Sequence, residues 1–201
     1  MKILAMETST GCASLAFGSG EGLVWSHSFE GHRRLSAELV LHVEGVVRRE
    51  GVPDAIVVGV GPGSYAGVRV AIATAVGLAA VWDCTLWGIP SVAAFACGES
   101  SYQVIGDARR GSWYYTQVEA GICTRGPLLA HSLGELRGWI ERGSGNVWSS
   151  DACAPLEHPV HRGIPSAEVL VERAVLRSGV VFEGDLEPLY LREASITLPT
   201  P

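Results

Sequence analysis

The stretch VVGVGPGSYAGVRVA, residues 57–71, sets four glycines and a proline between a valine-rich run and a long series of small apolar residues. The apolar run AIVVGVG (55–61) reads as a buried strand, and Ser64 caps a helix that continues to about Trp82. Glycine-rich strand-to-helix turns often hold phosphate, so the neighbouring residues must decide between chemistry and architecture. A Walker loop needs Gly-Lys-Ser/Thr, because the lysine neutralises terminal phosphates and the hydroxyl holds magnesium. Here Ser64, Tyr65 and Ala66 follow the glycines. A dinucleotide fingerprint needs GxGxxG with an open turn, whereas Gly61-Pro62-Gly63 is followed by Gly67 and Pro62 has no amide to donate. The orphan amides of the helix N-terminus leave room for weak anion binding. The bland alternative is that the glycines only make a tight turn.

The composition of the helix bears on that choice. Ala66, Val70, Ala73, Gly77 and Ala80 run along one side and Gly67, Ala71, Ala75 and Leu78 along the other, with only Arg69 and Thr74 polar. A helix this apolar all round is expected to be covered on both sides, and its small residues permit close approach of another helix. One side would rest on its own sheet. The other would meet a helix over 35–48, where Leu35, Leu39 and Val43 recur at helical spacing, or a second chain.

Outward from this centre, KILAME (2–7), ASLAFG (13–18) and GLVWSHSF (22–29) read as an antiparallel meander before the 35–48 helix, which Gly51 and Pro53 stop. A short strand near TLWGI and a helix opened by Pro90 and Ser91 follow. The pattern then restarts. Strands at 102–108, 112–119 and about 121–130 precede helices at 132–141 and 166–179, started by Ser132 and Ser166, the latter stopped by Gly179. Strands-then-helices occurring twice implies two α/β lobes, 1–99 and 100–201.

Composition fits a folded chain: 201 residues, 47% apolar and 18% charged, with only the terminal ITLPTP expected to fray. Residues 1–100 carry 6 Lys/Arg against 9 Asp/Glu and residues 101–201 carry 9 against 12, so neither half is basic. Gripping nucleic acid unaided is therefore not expected, since that affinity rests on clustered positive charge. Lys2 is the one lysine among fifteen cationic residues. Five cysteines (Cys12, Cys84, Cys97, Cys123, Cys153) without a CxxC pair point to core or near-core thiols rather than a disulfide framework or structural zinc. The N-terminus lacks the pattern of a secretory signal and no uninterrupted apolar run reaches membrane-spanning length, so the expectation is a cytoplasmic protein with no membrane role.

Four stretches, ILAMETST at the start, GVGPGSYAGVRVAIATAVGLA in the middle, GDARRGSWYY at 106–115 and EPLYLR at 187–192, resemble in order the motifs of the TsaB (YeaZ) family over essentially the whole chain. The resemblance implies an actin-like, ribonuclease-H-like (ASKHA) two-lobed α/β fold with mixed sheets, as in sugar kinases and heat-shock ATPases. It implies a non-catalytic scaffold for the TsaD transferase, which forms N6-threonylcarbamoyladenosine at position 37 of tRNAs reading codons that begin with A. It further implies a TsaE-like ATPase in the assembly, a homodimer when alone, tRNA contact through the complex, and no cofactor or metal. Gly61, Pro62, Gly63, Ser64, Tyr65, Gly67 and Arg69 match the family's loop and helix start. With Val70, Ala73, Thr74 and Gly77, and Leu35 and Leu39 of the preceding helix, they make the expected partner or dimer surface. The chain departs from the family's pattern in a displaced His32 before Leu35-Ser36, in Tyr65-Ala66 for the usual Phe-Thr, and in a shortened second lobe.

Two catalytic alternatives stand beside this. A kinase or ATPase of the same fold would use Glu7 and Asp107 at matching strand ends, but ARRGSW replaces a phosphate loop in the second lobe. A metallopeptidase needs HxxxH or HExxH, whereas His158 and His161 flank prolines and His27, His32, His42 and His131 are scattered.

Overall fold

The computed structural model describes residues 1–31, 33–151, 156–177, 179 and 182–192. His32, Cys153 and the terminal ITLPTP lie outside the described residues. Two mixed sheets form the frame. The first contains β1 (Ile3–Glu7), β2 (Cys12–Ser19), β3 (Gly22–Glu30), β4 (Ala55–Gly59) and β5 (Thr85–Ile89), with α1 (Leu35–Glu50) and α2 (Tyr65–Trp82) in the connections. The second contains β6 (Ser101–Asp107), β7 (Trp113–Glu119), β8 (Ile122–Ala130), β9 (Asn146–Ser149) and β10 (Val160–Arg162), with α3 (Leu133–Arg142) before β9. The order β3-β2-β1-β4-β5 in one sheet repeats as β8-β7-β6-β9-β10 in the other. In each, an antiparallel meander is extended by strands parallel to its first member. This is the mixed α/β architecture expected from the strand and helix pattern, in the actin-like form that the motif resemblance implies. The second copy is the shorter: where α2 joins β4 to β5, the described residues between β9 and β10 contain no helix.

Period-two alternation explains why the central strands are buried on both faces. Leu4 and Met6 of β1, with Ile56 and Val58 of β4, pack under Leu39, Val43 and Val46 of α1 and Val68, Ala71 and Ala75 of α2. Ile3, Ala5 and Val57 point the other way, toward Leu170, Val171 and Ala174 of α4 (Ala167–Val175). That cluster continues through Tyr102, Val104 and Tyr114, so one core joins the two sheets. A smaller core lies under α3, where Leu136 and Ile140 meet Ile105, Tyr115 and Val147.

The chain returns to the first sheet after β10. Helix α4 packs across β1, β2 and β3, and β11 (Phe182–Glu183) pairs with β5. The serine caps fall where expected: Ser64, Ser132 and Ser166 accept from Gly67, Glu135 and Val169 amides. Five elements depart from expectation. The helix after Pro90 is one turn of 3-10 helix, Ser91–Ala94, because Ser91 is tied to the Gly61 amide and Phe95 bridges to Pro165 in extended form. Helix α4 stops at Val175, short of Gly179, as Arg177 turns into the left-handed region at φ 49°. Strands β9, β10 and β11, of two to four residues, were not anticipated. The described cysteines, Cys12, Cys84, Cys97 and Cys123, are free thiols and half-buried.

Candidate functional site

The glycine-rich turn is bound up with the loop that follows β1. Ser64 N donates to Ser9 O (2.6 Å), and Thr8 Oγ1 donates to Gly67 O (2.8 Å). The glycines permit this approach. A Cβ at Gly67 would lie 2.0 Å from Thr8 O, and one at Gly63 2.3 Å from Ser9 O. Gly61, at φ +90°, makes the reversal itself. The carbonyl of Ser9 thus meets an amide at the start of α2 that a phosphate site would turn outward.

Behind this knot lies Glu7, wholly buried at the end of β1. Its Oε1 accepts from Ser9 N (2.7 Å), while its Oε2 has no hydrogen-bond partner and occupies the space that a Gly59 side chain would need. Burial without an opposing cation pushes this carboxyl up from the ordinary range, toward its neutral form; the nearby Ser9 and Ser91 polar groups oppose the shift only in part. Asp107 also ends its strand but is exposed, and its two oxygens accept from the Arg109 amide (2.6 Å) and guanidinium (3.2 Å). Between the two sheets opens a cleft of about 650 Å³, bordered by Ser9, Thr10 and Ser64 from one side, Asp107 and Asp151 from the other, and Pro188–Arg192 along its rim. Glu7 lies behind Ser9 and does not border it.

Helix α2 has two unlike faces. Gly67, Val68, Ala71, Ile72, Ala75 and Ala79 are buried against the sheet. Ala66, Ala73, Gly77 and Ala80 are exposed, with Val76 at 46% and Val81 at 79% exposure, and Val70 and Thr74 half-buried. The second side of the helix, expected to be covered, is open in the single chain. By length and composition α2 is also apolar enough to cross a membrane; in this fold it lies along the first sheet.

Of the anticipated surface residues, Gly63, Ser64, Tyr65, Arg69, Ala73 and Gly77 are exposed, whereas Gly61, Pro62 and Gly67 are buried in the knot. Leu39 is a correction: it is 0% exposed, inside the core beneath α1, and Leu35 is half-buried. The exposed apolar residues of α1 are its neighbours Val40 and Leu41, which the helical spacing passed over. A further grouping was hidden in the sequence. Arg69 Nε donates to Tyr190 Oη (2.7 Å), and its guanidinium lies 4.0 Å from the centre of the Tyr65 ring.

Two of the described histidines meet: the His27 and His42 rings approach to 4.4 Å beside Phe29. His161 stacks on Trp148. Among the described residues no group of three or more His, Cys, Asp or Glu side chains is placed to hold a metal ion.

The family model described as TsaD: tRNA N6-adenosine threonylcarbamoyltransferase matches residues 48–136, the segment containing the glycine-rich turn, α2 and the β6–β7 turn. Among solved structures, a Pseudomonas aeruginosa protein described as similar to peptidase YEAZ is 24% identical, with TM-score 0.73 over 95% of this chain and 99% of its own. YeaZ from Pseudomonas aeruginosa is 23% identical, with TM-score 0.69 over 94% of this chain and 99% of its own. No curated protein matches by sequence. The fold is thus that of YeaZ, the fold that the sequence motifs implied.

Proposed function

We propose that this chain, as a TsaB (YeaZ)-type protein, is the scaffold subunit of a cytoplasmic complex that forms N6-threonylcarbamoyladenosine at position 37 of tRNAs reading codons that begin with A. In this reading it has no catalytic step of its own. It docks on a TsaD-like transferase and activates it, with a TsaE-like ATPase joining the assembly and tRNA meeting the complex rather than this acidic chain alone. The observation that carries the reading is the uncovered face of α2. Ala66, Val70, Ala73, Gly77 and Ala80 present a flat stripe flanked by Val76 and Val81. Contiguous apolar surface of this kind is costly in water and marks interaction sites. Without the transferase, the same face pairs two copies.

A kinase or ATPase reading draws on the cleft, whose volume of about 650 Å³ falls within the range of small-molecule sites. The parts for phosphoryl transfer do not gather there. Glu7 is buried and shifted toward the neutral form, and the β6–β7 turn offers Ala108-Arg109-Arg110-Gly111-Ser112 instead of a phosphate loop.

Sedimentation equilibrium of the chain, alone and with the TsaD-like subunit of the same organism, tests the proposal when ATP hydrolysis is followed in the same samples. The expected result is a homodimer that exchanges for a one-to-one heterodimer, without hydrolysis by the lone chain. Ala73→Glu should abolish both associations and leave the fold intact. A monomer that ignores the transferase and turns over ATP would overturn the reading.

A further inference from the structure

The geometry points to Tyr65, Arg69 and Tyr190 as a preorganised socket for a carboxylate on the partner subunit, an inference that rests on the docking role proposed above. The three residues come from distant parts of the chain. Tyr65 and Arg69 lie on the first turns of α2, whereas Tyr190 belongs to the segment that follows β11, 121 positions beyond Arg69. That segment is anchored by its backbone: Leu189 N donates to Val60 O (2.8 Å), and Leu186 is buried in the core. Tyr190 is therefore delivered by a fixed strap rather than a loose end.

The arginine is held on two sides. Its Nε is engaged by Tyr190 Oη at 2.7 Å. The Tyr65 ring centre lies 4.0 Å from Cζ and the Tyr190 ring centre 5.5 Å, the two rings being tilted 34° at 5.7 Å. Cation–aromatic contact of this kind restricts a side chain that otherwise carries considerable rotamer freedom. Among the described residues the guanidinium has no ion pair, so its Nη groups remain as a fork of donors with the geometry of a carboxylate. Tyr65 and Tyr190 are 57% and 48% exposed. Tyrosine and arginine are also the residue types that dominate binding energy at interfaces. The socket adjoins the open stripe of α2 at Ala66, making one continuous surface with it.

Charge selects the source of the anion. Tight phosphate-backbone binding needs several cations, and the chain is net negative by six. The nearby arginines are otherwise engaged: Arg109 pairs with Asp107, and Arg192 donates to Arg109 O. Asp107 and Asp151 border the cleft that Tyr65 and Tyr190 also line. A single guanidinium on a net-negative chain suits one side-chain carboxylate of a protein partner better than an RNA strand.

Isothermal titration of the full chain with the TsaD-like subunit, at low and high salt, tests the socket through Arg69→Gln and Tyr190→Phe. Arg69→Gln should weaken binding about ten- to a hundredfold, the scale for loss of an interfacial hot spot. It should also flatten the salt dependence while leaving thermal unfolding unchanged. Tyr190→Phe, which keeps the ring but releases Nε, should weaken binding by a smaller factor. Wild-type binding that Arg69→Gln changes less than twofold, with the salt dependence intact, overturns the socket and leaves the docking role standing. Absence of binding by the wild type removes both. Loss of tRNA retention on a filter with protein affinity unchanged would reassign Arg69 to a phosphate and overturn the carboxylate.

Discussion

Two glycines of α2, ten residues apart, should respond in opposite senses to the same substitution. At Gly77 a Cβ would meet nothing within 4 Å, and the position is exposed in mid-helix. Gly77→Ala therefore recovers helix propensity and stabilises the monomer by about 0.5–1 kcal/mol. At Gly67 the Cβ would lie 2.0 Å from Thr8 O and 3.2 Å from Ser64 Cβ and Oγ, well inside ordinary contact at 3.4–4 Å. The Thr8 oxygen is backbone, in a loop fixed by the Ser64–Ser9 and Ser9–Glu7 hydrogen bonds, so it cannot swing aside. Relief requires a shift of more than an ångström, which breaks the Thr8–Gly67 hydrogen bond and disturbs the Ser64 cap. Two hydrogen bonds at about 1 kcal/mol each, with about 1–3 kcal/mol of overpacking, give roughly 3–5 kcal/mol of destabilisation. Urea unfolding, at a concentration low enough to keep the chain monomeric, measures both. A Gly67→Ala cost below about 1 kcal/mol, or a destabilised Gly77→Ala, would refute the packing argument.

Glu7→Gln should gain on the wild type as pH rises through and above the ordinary carboxylate range. Burial raises the Glu7 carboxyl above its ordinary value of 4.5, so the folded chain retains a proton that the unfolded chain releases. Wild-type stability then falls as pH climbs from the ordinary range toward the folded value and levels beyond it; glutamine keeps the Ser9 acceptor without that slope. Thermal unfolding across this interval reads it, and a wild type that gains on the variant with rising pH would contradict the assignment. Ser14→Ala removes the buried hydroxyl that accepts from Ala167 N at 2.9 Å, leaving the first amide of α4 unpaired. Its cost in urea should be about 1–3 kcal/mol, against about 1 kcal/mol for removing the Ser166 cap. Equal stability of Ser14→Ala and wild type would mean that water replaces the bond.

Local signals carried far in this chain. Serines at helix starts, alternation in β1 and β4, and the repeat of strands before helices were legible because each is written within a few residues. The short strands β9, β10 and β11 were not, because they carry few residues to reveal a period, and nothing in the sequence of α4 states which sheet it will cover. Ser14 receives its first amide from 153 positions away. Tyr190 was visible only as part of a motif without a role, since its partner lies on α2. Leu39 shows a different limit. Periodicity detects the stripe that faces the chain's own core, so Leu35, Leu39 and Val43 revealed α1 by being its inner face. The residues offered outward, Val40 and Leu41, are those that break the pattern.

The same contrast resolves what the glycine-rich turn is for. A phosphate loop leaves its amides directed at an external ligand, whereas here Ser64 N and Gly67 O are bonded to the loop after β1. The turn therefore fixes the direction in which α2 leaves the sheet. Over 18 residues the helix extends about 27 Å, so a tilt of about 5° at the knot would move its far end by about 2 Å. In complexes of preorganised partners the interface backbone moves by about 1 Å or less on binding, so a shift of this size is not readily absorbed. A Gly67→Ala chain restored to wild-type stability by substitutions away from α2 should consequently still dock poorly, because stability returns but direction does not. Titration against the TsaD-like subunit separates the two quantities. Full recovery of affinity along with stability would show that the knot contributes only to folding, and that the open stripe tolerates a change of angle.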